Sequence, residues 1–208
     1  MLNRGFTLIE VLVTLVILTF GLLGIAGLMA KGQRASFEAF QRQQAISIAS
    51  DMAERIRGNR KQAAAYAAAA LLTNPVGQGA QYNDLLTASI TDCGTFTCTP
   101  AQLAAYDIAL WDGLLVGYSE AQVAGGARVG GIVRARGCIT ETANTSAACP
   151  PAPSPSVPFT WTMRVSVAWE GNEETVVPTA STCGQGAYST ETKRRVVVLD
   201  LMVLQACN

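Results

Sequence analysis

Between Phe6 and Ala30 the chain reads FTLIEVLVTLVILTFGLLGIAGLMA, an apolar run whose single charge is Glu10. Held helical at about 1.5 Å per residue, it is longer than the ~30 Å needed to cross a bilayer's hydrocarbon core. A segment of this kind has two homes, a membrane or the apolar interior of a helix bundle. A cleaved secretory signal predicts a basic start, a shorter apolar stretch and small residues bracketing a cut. Here the basic start is Arg4 alone and no clean A-x-A site follows. Glu10 is the discordant residue, because a carboxylate inside such a segment is costly and calls for a partner. Snorkelling of the carboxylate to a nearby membrane surface is the other account of it. Arg4 marks a cytoplasmic N-terminus, whereas Lys31 and Arg34 follow on the proposed outer side, so charge bias orients the segment only weakly.

MLNRG followed by FTLIEVLVTLVIL resembles the leader and first helix of type IV pilins and pseudopilins. The resemblance implies cleavage by a dedicated membrane peptidase between Gly5 and Phe6, and methylation of the new amine of Phe6. It also implies that Glu10, now the fifth residue, acts in assembly. The physics of that spacing is direct. An N-terminal ammonium buried among apolar helices needs a counter-charge, and a carboxylate one helical turn along a neighbouring subunit supplies it. A one-turn slip would leave two buried charges unpaired, so the pair also sets axial register.

The rest of the composition narrows the function class. The 208 residues, half of them hydrophobic, suit one modest head plus the N-terminal element. Lys plus Arg equals Asp plus Glu at 15 each, so bulk charge attracts no nucleic acid. Histidine is absent, which removes the usual general base and the commonest metal ligand. The six cysteines, Cys93, Cys98, Cys138, Cys149, Cys183 and Cys207, all lie beyond the apolar run and suit an oxidised, exported head. Zinc is the competing reading, but no C-x-x-C pair occurs and no metal or other cofactor is expected. Sequence does not choose among the pairings; proximity along the chain favours Cys93 with Cys98, Cys138 with Cys149, and Cys183 with Cys207.

Helical pattern continues past Ala30. Phe37, Phe40, Ile48, Met52 and Ile56 recur on one face, opposed by polar residues such as Gln33, Arg34 and Gln41, and no proline intervenes before Pro75. One helix over roughly 8–57 is expected, the alternative being two helices joined near Gly32. Arg55, Arg57, Arg60 and Lys61 would form a solvated basic end that meets the helix dipole. The alanine-rich 61–72 reads as an extension or a second short helix, and 74–92 as a loop punctuated by Pro75, Gly77 and Gly79. After Pro100, AQLAAYDIALWDGLL predicts a core helix with Leu103, Tyr106, Leu110, Trp111 and Leu114 on its stripe. From Phe159 to Glu170 apolar and polar residues alternate, the clearest strand, with one face buried. Val129 to Ile139 and Arg195 to Leu204 are further strands, the last so rich in valine and leucine that it is expected to be central. CPPAPSPSVP between the first two should be an exposed, extended connection. The expected fold class is α+β, a long N-terminal helix on a small antiparallel sheet. Its domains are a leader (1–5), a transmembrane or filament-core helix (6–30), an amphipathic and alanine-rich helical part (31–72) and a disulfide-bearing head (73–208).

GLLGIAGLM at Gly21 to Met29 and SDMAERIRGNR at Ser50 to Arg60 are similar to the type IV pilus minor pilin family PilV, with looser agreement in the Trp111 helix, the Gly125 and Gly126 turn and the strand ending at Trp169. That resemblance implies structural work without a cofactor. A minor pilin would join other minor pilins and the major pilin, pass through the prepilin peptidase and an inner-membrane assembly platform, contact membrane lipid, and end in a filament or its tip. A minor pseudopilin of a type II secretion system shares the leader and Glu10, and predicts a calcium site or secretion-specific partners in the head. A membrane-anchored periplasmic enzyme is the third reading. Its candidates are Asp107 or Asp112 beside Trp111, and Glu170, Glu173 and Glu174, although each reads more simply as helix surface or a turn after a strand.

Overall fold

The structure is a computed structural model that describes residues 5, 7–118, 120, 130–144 and 158–206. Phe6, Cys149, Cys207, the Gly125 and Gly126 turn and the proline-rich 149–157 lie outside the described residues. The chain divides into two compact units, Met1–Phe40 and Gln41–Asn208.

Helix α1 runs unbroken over Leu8–Gly58, so Gly32 makes no joint. In the first unit its surface is uncovered; Phe37 and Phe40, expected on the packing face, are 45% and 62% exposed. Within the second unit Gln41, Ala45, Ile48, Ala49, Met52, Ala53 and Ile56 are buried, a three-and-four spacing that forms one inward stripe. The buried core begins at Ala45. Small residues at three of these positions let the helix approach its partners closely. A 3-10 turn, Arg60–Gln62, leads into α2, Ala63–Ala69. Tyr66 is the large core residue of α2, fully buried.

The stretch expected to be a loop contains a short helix, α3, Ala80–Leu86. Its start is fixed by long-range contacts that local propensity does not report, as described below. Helix α4, Pro100–Val116, has a capping box: Thr99 Oγ1 accepts from Gln102 N–H at 3.3 Å, and the Gln102 side chain accepts from Thr99 N–H at 2.9 Å. Pro100 sits in the first turn and Gly117, left-handed at φ 65°, ends the helix. The stripe differs from the one expected. Ala104, Ile108, Trp111 and Leu115 enter the core, with Asp107 and Asp112 buried alongside, whereas Leu114 is 41% exposed. Bulk misleads here, because Ala104 allows close packing and both aspartates find hydrogen-bond partners inside. The indole N–H of Trp111 donates to Ile48 O at 3.1 Å, tying α4 to α1. Gly137 faces the same ring, and a Cβ there would come within 2.6 Å of it.

Strands β1 (Arg136–Asn144), β2 (Pro158–Glu170) and β3 (Arg194–Ala206) form one antiparallel sheet in that order. The central strand is β2, and valine-rich β3 is at the edge. The correction has a physical basis in exposure: Val196, Val197, Val198 and Leu199 are only half-buried and Met202 is 71% exposed. In β2, Met163, Val165, Val167 and Trp169 face the main core. Ser166 and Ala168 on the opposite face are buried too, because the chain between β2 and β3 folds back over them. The expectation of one buried face is therefore replaced by two; the side chains of Phe159 and Trp161 lie outside the described residues. Strand β1 starts later than expected, and its outer edge is met by the preceding chain, Val76 exchanging backbone bonds with Gly137 at 3.0 and 2.8 Å.

Candidate assembly site

Gly5 lies three residues ahead of α1, which starts at Leu8. Thr7 O accepts from the N–H groups of Glu10 (3.1 Å) and Val11 (3.3 Å), and Thr7 Oγ1 also accepts from Glu10 N–H at 3.4 Å. The sequence Thr-Leu-Ile-Glu is thus one half of a capping box, and Glu10 stands where the helix dipole favours a carboxylate. Glu10 is exposed and forms no ion pair among the described residues. From Leu8 to Met29 large apolar side chains such as Leu12, Phe20, Leu23 and Leu28 are 52–72% exposed. The most apolar window of α1 has mean hydropathy 2.6 and none of it is buried. The hydroxyls of Thr14 and Thr19 donate to the carbonyls of Val11 and Val16 at 2.8 Å, so these polar side chains are satisfied within the helix. The helix has the length and composition of a single membrane-spanning segment. Contiguous exposed apolar surface of this kind is rare on isolated soluble subunits.

Three of the head carboxylates, Asp107, Asp112 and Glu170, hold backbone and side chains. Asp112, wholly buried, accepts at Oδ1 from the N–H groups of Gly77 (2.6 Å), Gln78 (3.0 Å) and Gly79 (3.0 Å), and at Oδ2 from Tyr82 N–H (3.2 Å). Asp107 accepts from Arg55 Nη1 at 2.9 Å and from the Tyr66 hydroxyl at 2.5 Å. Asn59 donates to Tyr66 Oη at 3.3 Å and to Pro100 O at 2.7 Å. Burial, then the bond to Asp107, pushes the Tyr66 phenol well up, so it stays a donor. Both aspartates, expected at the helix surface, point inward instead, where Arg55, Tyr66 and the backbone of 77–82 meet them. Arg55 likewise leaves the solvated basic end to bridge Asp51 and Asp107, while Arg57 pairs with Glu54. Glu170 accepts from Arg134 at 2.8 Å and from the Ser189 hydroxyl at 2.5 Å, whereas Glu173 and Glu174 are exposed. Among the described residues no group of three or more Cys, Asp or Glu is arranged to hold a metal.

Among the described residues two disulfides are present. Cys93–Cys98 closes a small loop as expected, but Cys138 joins Cys183, with Cα atoms 5.8 Å apart, and this overturns the expected pairs with Cys149 and Cys207. Proximity along the chain fails because 171–193 returns over the outer face of β2 and sets Cys183 above β1. With Ala168 and Tyr188 the pair forms a second small core.

That return segment is also pinned by carboxylates. Glu170 is held below its ordinary range by the Ser189 hydroxyl and then Arg134, Glu191 by the Gly186 N–H and then Arg194, and Asp200 by Arg164. A depressed carboxylate adds stability above the unfolded value near 4, and loses it as pH falls through the lower folded value. The head's melting temperature is accordingly expected to hold from pH 7 to about 5 and to fall progressively below about pH 4. Melting curves between pH 7 and 2.5 check this, and a flat profile across the acid range would contradict it.

Residues 1–26 match the family described as prokaryotic N-terminal methylation motif, and residues 28–109 match the family described as type IV pilin Tt1218. The first match contains Gly5, Phe6 and Glu10; the second runs from within α1 through α2 and α3 into α4. Comparison with curated proteins and with solved structures gave no match.

Proposed function

We propose that this chain, which belongs to the type IV pilin and pseudopilin superfamily, is a minor pilin of the PilV kind that helps to prime a type IV pilus or sits at its tip. The observation that carries the reading is the uncovered apolar helix with Glu10 in its first turn, lying within the methylation motif. The prepilin peptidase cuts after Gly5 and methylates the amine of Phe6. The subunit waits in the inner membrane with its head in the periplasm, then enters a filament through the assembly platform. In the filament Glu10 meets the Phe6 ammonium of a neighbouring minor or major pilin, which cancels two buried charges and fixes register. The work is packing, not catalysis. The pseudopilin of a type II secretion system remains the second reading, since leader and helix serve both machines.

Two measurements test the proposal. Intact mass of the membrane-extracted protein should show loss of Met1 to Gly5 and gain of one methyl only in cells that have the peptidase. Glu10→Ala should still be cut, yet its amount in sheared pili should drop at least about tenfold, because one buried charge is left without a partner. Unaltered incorporation of Glu10→Ala would remove Glu10 from assembly. Loss of the chain from secretion filaments, with pili unaffected, would select the pseudopilin reading.

A further inference from the structure

An open groove on the head runs between 72–78 and 182–187, lined by Leu72, Thr73, Gln78, Arg136, Thr182 and Gln185 among others. Among the described residues no acidic side chain lines it. Arg136 is half-buried, and its Nη1 donates to Gly77 O at 3.1 Å and Ala135 O at 2.8 Å, which holds the guanidinium in place. Its Nε and Nη2 have no acceptor among the described residues. Arg55, Arg57, Arg134, Arg164 and Arg194 each pair with a carboxylate, and Arg136 with none among the described residues. Both walls are tied to the rest of the head. Asp112 holds the N–H groups of 77–79, and the opposite wall is anchored by the Cys138–Cys183 bond and by Gly184, left-handed at φ +67°, where a Cβ would lie 2.8 Å from the Tyr188 hydroxyl.

A fixed guanidinium with free donors, surrounded by neutral hydroxyls and amides, matches a carboxylate carried on a hydroxyl-rich ring. We infer that this groove binds a sugar acid, with Arg136 gripping the carboxylate through Nε and Nη2 and Thr73, Gln78, Thr182 and Gln185 contacting ring hydroxyls. The inference goes beyond the assembly role and does not depend on it.

Calorimetric titration of the detergent-solubilised full chain tests it with three probes: galacturonate, galactose and a glutamate-rich peptide. Galacturonate should bind saturably at roughly millimolar concentration, as suits a small ligand in an open groove. Galactose should bind at least about tenfold more weakly, the worth of one charge-assisted contact. Arg136→Lys should weaken galacturonate several-fold and Arg136→Gln should abolish it, with melting curves checking that each variant folds. Should Arg136→Gln fail to fold, Gln185→Ala at an exposed wall position should still weaken binding a few-fold. No saturable galacturonate binding, equal binding of galactose, insensitivity to Arg136→Gln or to Gln185→Ala, or preference for the peptide would overturn the assignment.

Discussion

Replacing Asp112 by alanine is expected to lower the melting temperature of the head by about 10 °C or more. Four backbone N–H groups converge on this carboxylate, from Gly77, Gln78, Gly79 and Tyr82, and the side chain is wholly buried. Each donor left without an acceptor costs about 1–3 kcal/mol, partly offset where water enters the space vacated, so a net loss of roughly 3–5 kcal/mol is reasonable. For a domain of this size each kcal/mol moves the midpoint by about 2–4 °C. Asp112→Asn supplies the control. Its remaining oxygen still accepts from the three N–H groups, while its amide nitrogen opposes the Tyr82 N–H, so the loss should be roughly a third of that in the alanine variant. Hydrogen exchange should locate the effect in 77–86, where the loop and α3 lose their common anchor. If both variants melt with the wild type, the carboxylate is not what fixes that segment.

This aspartate also marks where the sequence stopped being legible. Periodicity alone found α1, α4 and β2, because each carries a long stretch of regular burial. It missed α3 because Ala80–Leu86 is too short to nucleate by itself. Its start depends on Asp112, which is distant in sequence. In α4 the heavy side chains drew the expected stripe toward Leu114 and away from Ala104 and Asp107. Burial of an aspartate is decided by partners on other elements, Arg55 and Tyr66 in this case, and no local pattern reports them. Strand order failed for a related reason. Valine content marks β3 as a good strand, but it does not say which neighbour lies on each side. The N-terminal methylation motif was more legible than the head. Gly5, Phe6 and Glu10 are read as a linear motif, whereas the fit of the head depends on contacts made across the fold.

The disulfides sharpen the same contrast into a second large effect. Cys138–Cys183 spans 45 residues and Cys93–Cys98 spans 5. In the chain-entropy account the first restricts the unfolded chain by about 4 kcal/mol and the second by about 2. The long bridge also joins β1 to the segment that buries Ser166 and Ala168, and its removal opens the second core around Ala168 and Tyr188. Cys138→Ala with Cys183→Ala should therefore lower the melting temperature by about 10 °C, and Cys93→Ala with Cys98→Ala by about half as much. Protection against hydrogen exchange should fall first in 182–191 for the former and stay local to 91–99 for the latter. Equal effects from the two double variants would mean that loop length is not what sets their contributions. A larger loss from the short bridge would mean that the exposed loop around Phe96 supports the head more than the cover over β2 does. The expected order places the main constraint on the face of the sheet opposite α1, where the 171–193 segment forms the cover and the Cys138–Cys183 bond ties it to β1.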